Sequence, residues 1–116
     1  MSSGFKDLYQ NFIKLAVTAE KLSDSPLLDA VEKRLLNLLS VYWSNKKQIT
    51  VVEAMHMTDE ISTSTIFRYL KRLRQKGYLE LLVDEIDNRV KYIQPTKQTD
   101  KYFAKLGKLM IEASRK

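Results

Sequence analysis

The chain has 116 residues, of which 44% are hydrophobic, a net charge of +6 and no cysteine. This composition allows one globular domain with a core and excludes a disulfide framework or a thiolate metal site. No apolar run approaches the roughly 20 residues needed to span a bilayer, and the first ten residues lack the apolar segment of a signal peptide. We therefore expect a cytoplasmic protein with a single domain, residues 1–116, and no membrane partner.

The positive charge is concentrated in the second half of the chain. Residues 1–61 hold seven Lys/Arg and eight Asp/Glu, a balance of −1, whereas residues 62–116 hold thirteen and six, a balance of +7. Such an asymmetry indicates a polyanionic partner for one face. It does not separate DNA from RNA or from an anionic membrane.

Apolar residues spaced alternately by three and four predict an amphipathic helix over residues 5–22, with the a/d pattern of a coiled coil. They are Phe5, Leu8, Phe12, Leu15, Ala19 and Leu22. The pattern has two interpretations, packing on the same domain or a subunit interface, and the sequence does not favour either. Ser25 and Pro26 then resemble the N-cap and the first position of the next helix.

A second helix, over residues 27–44, is predicted to lie in the core. Its apolar face consists of Leu28, Val31, Leu35, Leu38, Leu39 and Tyr42. Trp43 is interpreted as a packing anchor rather than a binding group. After a one-rung strand at residues 48–49, Thr50 and Glu53 have the spacing of a capping box, which begins a short helix.

The most informative stretch is residues 62–77, which predicts a helix with one apolar and one basic face. Ser62 begins a run of N-capping hydroxyl residues, and Gly77 suits the left-handed position after a helix. Ile66, Leu70 and Leu73 fall on one stripe, with Phe67 at its edge, and the stretch contains no acid. Its five cations are Arg68, Lys71, Arg72, Arg74 and Lys76. A basic, hydroxylated face suits the major groove of DNA, although a solvated surface has the same composition.

After Gly77 the pattern becomes extended and predicts a hairpin, with strands 78–83 and 89–93 joined by a turn at residues 84–88. Thr96 begins a last helix over residues 96–114. A short helix, a turn, the basic helix and the hairpin in this order predict a mainly α (α+β) winged helix-turn-helix fold. The DNA-binding core would be residues 27–94 and its wing residues 79–94, with flanking helices at both termini.

Two segments resemble motifs of MarR-type winged-helix regulators of bacterial transcription. Residues 87–96, DNRVKYIQPT, resemble the wing signature of the family: an Asp-x-Arg, an apolar strand and a Thr that opens the next helix. Residues 70–79, LKRLRQKGYL, resemble the end of the recognition helix. The two segments occur in the family's order and spacing, and the resemblance extends over residues 28–109. It implies a winged-helix regulator of transcription.

Other chemistry has little support in the sequence. His56 is the single histidine and has no partners at metal-ligand spacing. Asp84, Glu85 and Asp87 are better suited to forming a turn than to binding calcium, with Asp87 positioning Arg89. Because neither a catalytic triad nor a glycine-rich phosphate loop is present, we expect no enzymatic activity, no metal and no cofactor. A small-molecule effector remains undefined.

We therefore expect a sequence-specific regulator that binds double-stranded DNA. Arg68 is predicted to contact a base, because its planar fork fits guanine O6 and N7, and Phe67 is assigned to the core in preference to a thymine methyl contact. The predicted DNA-binding residues are Ser62, Ser64, Thr65, Arg68, Lys71, Arg72, Arg74, Arg89 and Lys91. The alternative is a winged-helix module that binds an acidic protein within a larger complex, without specific DNA binding.

The outer helices predict a two-fold homodimer. A core supplied by the central helices leaves limited room for both outer apolar faces, so a partner's copies would cover them. The predicted dimerisation residues are Phe5, Leu8, Phe12, Leu15, Tyr102, Leu106 and Leu109.

Overall fold

The computed structural model describes residues 2–115, which form five helices and one small sheet. Its elements are α1 (Ser2–Leu22), α2 (Ala30–Ser44), β1 (Ile49–Thr50), α3 (Val51–Met55), α4 (Thr63–Gln75), β2 (Leu79–Val83), β3 (Lys91–Pro95) and α5 (Lys97–Ser114). The predicted mainly α fold with a wing is confirmed. Two compact units are present, residues 28–99 and residues 1–27 with 100–116.

The unit of residues 28–99 has a continuous apolar core. Leu35, Leu36 and Leu39 of α2 are fully buried, as are Ile66 and Leu73 of α4. The sheet and the turns contribute Ile49, Tyr78, Leu79 and Ile93, and α3 contributes Ala54. This core holds α4 by one side only, which leaves its other side free for function.

The sheet is antiparallel with strand order β1–β3–β2, so β3 is its central strand. Ile93 of β3 pairs with Ile49 on one side and Leu81 on the other. Leu79 pairs with Pro95, so the proline is the last residue of β3. The two long strands project from the unit as a wing that ends in residues 84–90.

The start of α2 differs from the sequence prediction. The helix begins at Ala30 and is capped by Asp29, whose side chain accepts a hydrogen bond from Glu32 N at 2.8 Å. Glu32 Oε1 accepts from Asp29 N at 2.8 Å, which completes a capping box. The proposed cap at Ser25 and Pro26 is wrong, because the chain makes no helical turn before Asp29. A reciprocal pair of hydrogen bonds satisfies more of the free helix-end amides than a single serine followed by proline would.

The far end of α2 is anchored to the sheet by Trp43. Its indole Nε1 donates a hydrogen bond to Ile93 O at 3.1 Å, and the side chain is half-buried, which confirms its role as a packing anchor. The predicted apolar face of α2 is rotated by about one position. Leu36, which the prediction omitted, is fully buried, whereas Tyr42, which the prediction included, is exposed.

In the other unit, α1 and α5 carry large apolar side chains that remain exposed. On α1 these include Phe5, which is 81% exposed, and Leu22, which is 79% exposed, and on α5 Met110 and Ile111 are more than half exposed. Helix α1 starts three residues earlier than predicted, at Ser2. No helix within residues 2–115 is long and apolar enough to cross a membrane.

Candidate nucleic-acid interface

Helix α4 begins and ends where its local sequence predicts. Ser62 Oγ accepts from Thr65 N at 3.3 Å and donates to Thr65 Oγ1 at 2.8 Å, so the N-cap also orders the first turn. At the other end Tyr78 N donates to Leu73 O at 2.9 Å and Gly77 N donates to Arg74 O at 3.0 Å. These two bonds form a Schellman motif around Gly77, whose φ is +88°.

The predicted apolar stripe of α4 is confirmed, since Ile66, Leu70 and Leu73 are all buried. The prediction that Phe67 belongs to the core is wrong, because its side chain is 38% exposed. Lys71 Nζ lies over the Phe67 ring, 4.6 Å from its centroid, a contact in which the cation faces the negative side of the π-system. Phe67 therefore supports a cation at the surface.

The face of α4 opposite the stripe presents Ser64, Arg68 and Lys71 to solvent, and Thr65 is half-buried. Arg74, at the edge of the stripe, is also exposed. Arg68 Cζ stands 5.8 Å from the centroid of the Tyr69 ring. Hydroxyl groups are thus at the start of the helix and cations along its length.

Two other cations of this segment are neutralised by acids at the start of α2. Lys76 Nζ lies 2.6 Å from Glu32 Oε1. Arg72 Nη2 lies 3.4 Å from Asp29 Oδ2, and its guanidinium also stands over the Tyr69 ring at 4.8 Å. The segment has no acid of its own, but the fold supplies two. Arg72, which the sequence assigned to DNA, is therefore in an ion pair with half of its side chain exposed.

The wing carries a second cationic position at its tip. Arg89 is 91% exposed, and its Nε and Nη2 donate to the two carboxylate oxygens of Asp87 at 3.0 and 3.1 Å. This fork, together with a bond from Arg89 N, lowers the pKa of Asp87 below its ordinary value and fixes the direction of the guanidinium. Lys91 begins β3 and is exposed. Ile86, at the same tip, is fully exposed.

The acidic residues of the wing form its turn, as predicted. Asp84 Oδ2 accepts from Ile86 N at 3.0 Å and from Asp87 N at 2.9 Å. Its Oδ1 accepts from Tyr92 Oη at 3.3 Å, and the Asp84 charge raises the pKa of Tyr92. Among residues 2–115, no three His, Asp or Glu side chains come together in an arrangement that could hold a metal ion.

The joint between α4 and the wing is held by the first turn of α5. Thr96 Oγ1 donates to Gly77 O at 2.6 Å, and Gln98 Nε2 donates to Lys76 O at 3.0 Å. Thr99, fully buried, donates to Tyr78 O. A Cβ added to Gly77 would lie 2.9 Å from Gln98 Oε1. Three consecutive carbonyls after the basic helix thus have side-chain donors.

The predicted dimerisation residues occupy different environments within the chain. Phe5 and Leu8 are exposed, and Phe12, Leu15, Tyr102 and Leu106 are half-buried. Leu109 is only 4% exposed, so it is already covered within one chain.

The order of the elements defines a winged-helix fold with a basic face on α4. The sequence matches no protein-family model and no curated protein. Among solved structures, a mutant MarR from E. coli, complexed with operator DNA, has a TM-score of 0.57 and 20% identity over 88% of this chain and 67% of its own. At this identity the likeness establishes the fold.

Two further solved structures have the same fold. The YusO protein from Bacillus subtilis has a TM-score of 0.57 and 16% identity, over 96% of this chain and 70% of its own. The transcriptional regulator Tm0710 from Thermotoga maritima also has a TM-score of 0.57, with 19% identity, over 67% of this chain and 54% of its own. The chain thus spans about half the length of the Thermotoga protein, and the resemblance to MarR-type proteins is confirmed as a likeness of fold.

Sequence reasoning did not identify the acidic pair at the start of α2. Asp29 and Glu32 have capping-box spacing, D-x-x-E, and that signal was present in the sequence. Their pairing with Arg72 and Lys76 had no local signal, because Glu32 and Lys76 are 44 residues apart.

Proposed function

We propose that this chain is a regulator of transcription that binds double-stranded DNA in a sequence-specific manner. The observation that carries the proposal is the exposed surface of α4, where Arg68, Lys71 and Arg74 lie outside the buried apolar stripe. A helix held from one side and cationic on the other can enter a major groove, which is about 12 Å wide. The MarR–operator complex shows that a protein of this fold binds DNA.

Within this proposal the parts of the interface have different tasks. Ser64, Thr65 and Arg68 belong to the first half of α4, where side chains reach base edges in helix-turn-helix proteins, and Ser62 is its N-cap. Lys71 and Arg74 are further along the helix and suit phosphates, which position the protein without reading sequence. The wing would reach an adjacent minor groove or backbone with two exposed cations, Arg89 and Lys91.

The second candidate is a module that binds an acidic protein without specific DNA binding. The wing argues for DNA, because Asp87 holds the Arg89 guanidinium at the tip of a projecting hairpin, where a minor groove could receive it. An acidic protein surface needs no such projection.

Two variants and one selection test the proposal. Selection from random duplexes should yield a motif for the wild type. Arg68→Ala should weaken binding to that motif by about 1–3 kcal/mol and relax selectivity at one base pair. Lys71→Ala should weaken binding to all duplexes alike and reduce the salt slope by about one ion. An unchanged base preference in Arg68→Ala would remove the assignment of that residue, and selection without a motif would favour the second candidate.

We further propose that the protein acts as a two-fold homodimer through α1 and α5. The support is the amount of large apolar surface that one chain leaves exposed on these helices, from Phe5 and Leu8 to Met110 and Ile111. A few such side chains, each worth about 1.5–3 kcal/mol on full burial, offset the cost of association. Two recognition helices about 34 Å apart would then meet successive major grooves of a palindrome.

A further inference from the structure

Glu32 is a fully buried carboxylate with more contacts than its capping role requires. Its Oε1 accepts from both Asp29 N and Lys76 Nζ. Its Oε2 is buried without a hydrogen-bond partner and lies 3.9 Å from Arg72 Nε. By comparison, Glu53 has the same capping position on α3 and is exposed. Capping therefore does not explain why Glu32 is buried against the end of the basic helix.

The charges around Glu32 divide the basic segment into two groups. Glu32 and Asp29 lie against Lys76 and Arg72, whereas the exposed Arg68, Lys71 and Arg74 make no ion pair among the described residues. Glu32 is fully buried, and losing its cations would leave an uncompensated buried charge, so it resists their separation when a polyanion approaches. Lys76 and Arg72 should thus keep their ion pairs with Glu32 and Asp29 when DNA binds.

We propose that Glu32, assisted by Asp29, is a specificity-determining residue that withholds Arg72 and Lys76 from DNA phosphates. This inference rests on the proposed function. A cation that reaches a phosphate adds the same affinity to every sequence, because phosphates carry no sequence information. Withholding two cations lowers the affinity for random DNA. In a specific complex the base contacts fix the position of α4, so these two cations would contribute less there than in an adaptable non-specific complex.

The first test replaces Glu32 with glutamine, which keeps the size and the capping ability of the side chain but removes its charge. Binding of the full-length chain to a random-sequence duplex is measured as a function of salt. Each added phosphate contact steepens the log–log salt slope by about 0.9. We expect Glu32→Gln to steepen it by about one to two units and to raise random-duplex affinity severalfold. The ratio of affinities for a selected motif and the random duplex should fall.

Asp24→Asn is the matched control, because it changes the net charge by the same amount at an exposed position with no ion pair among the described residues. It should leave the salt slope of the wild type unchanged. If the salt slope steepens equally in Glu32→Gln and Asp24→Asn, the effect comes from the net charge alone, and the proposal is overturned.

The second test starts in the wild-type background, and that part holds if Glu32→Gln fails to fold. Lys76→Gln in the wild-type background should leave the salt slope unchanged, whereas Lys71→Gln should reduce it by about one. In the Glu32→Gln background, Lys76→Gln should reduce the slope. A loss of slope for Lys76→Gln in the wild type equal to that of Lys71→Gln would show that Lys76 already contacts phosphate, and would overturn the proposal.

The outcomes separate this inference from the proposed function. A wild type that binds no duplex at low salt contradicts both. A wild type that binds duplex DNA, with a slope indifferent to Glu32→Gln in a folded variant, contradicts this inference alone.

Discussion

The two units differ in how they treat their apolar side chains. Of the fourteen buried apolar residues in the described chain, twelve lie in residues 28–99, and the other unit contributes Leu109 and Ala113. The same three-and-four spacing of apolar residues therefore has two outcomes. In α4 it produces a buried stripe, whereas in α1 it leaves Phe5 and Leu22 largely in solvent. Periodicity therefore defines an apolar face without identifying what covers it.

The largest expected effect concerns the apolar face of α1. Leu8→Glu/Phe12→Glu should convert a dimer into a monomer, because each substitution places a charge where the proposed partner would exclude water. Sedimentation at micromolar concentrations measures the change. Leu82→Glu, at an exposed leucine of β2, is the control and should leave the dimer intact.

Either of two results would contradict the homodimer. One is a wild type that sediments as a monomer. The other is a dimer that is indifferent both to the double substitution and to Leu106→Glu. The exposed apolar side chains of α1 and α5 would then need an explanation that involves no second copy.

A smaller effect is expected inside the core of residues 28–99. Leu73→Ala should reduce the free energy of unfolding by about 2–5 kcal/mol, since it removes a fully buried side chain and leaves a cavity. Leu22→Ala, at an exposed position of α1, should change it by less than about 0.5 kcal/mol in dilute, monomeric protein. Urea denaturation measures both. Equal losses in the two variants would show that the units do not differ as described.

The wing should affect binding more than stability. Arg89→Ala should weaken DNA binding and reduce the salt slope by about one ion, with almost no change in melting temperature, because the ion pair with Asp87 is exposed to solvent. Asp87→Asn gives the matched comparison, since it loosens the fork and retains the arginine. A large fall in the melting temperature of Arg89→Ala would make the residue structural and remove its support as a DNA contact.

The smallest expected effect is a pH dependence in the outer unit. Burial raises the pKa of Tyr102, and the charge of Glu20 raises it further. A raised tyrosine pKa leaves the fold at full stability below pH 10, the ordinary value, and the stabilisation is lost as the pH rises through the raised pKa. Tyr102→Phe should therefore lose less melting temperature than the wild type between pH 8 and pH 11. Tyr9→Phe, at an exposed tyrosine of α1, should behave like the wild type.

Local chemistry was predictable from the sequence wherever a few adjacent residues decide the structure. Ser62 and Gly77 delimit α4, and Thr50 with Glu53 begins α3, because capping depends on hydrogen bonds within four residues. The order of these elements was then enough to predict the winged-helix fold.

Features that depend on distant parts of the chain were not predictable in the same way. Glu32 and Lys76 each resemble an ordinary solvated charge until the fold brings them together. Phe67 was assigned inward from its angle on the helix, but Lys71 gives it a role at the surface. The roles of the residues predicted to contact DNA stay predictions, because a base contact depends on the partner as well as on the fold.

The conformation and contacts of Gly77 restrict which residues can occupy positions 77 and 98. Its φ of +88° disfavours side chains, and any Cβ would push against a Gln98 amide that is engaged with Lys76 O. A replacement at position 77 would therefore strain the backbone and release that amide together. Asparagine, which tolerates positive φ best among the other residues, would still displace the Gln98 amide from Lys76 O, which a different side chain at position 98 would avoid. Positions 77 and 98 should accordingly change as a pair among sequences that share this joint, although they are 21 residues apart.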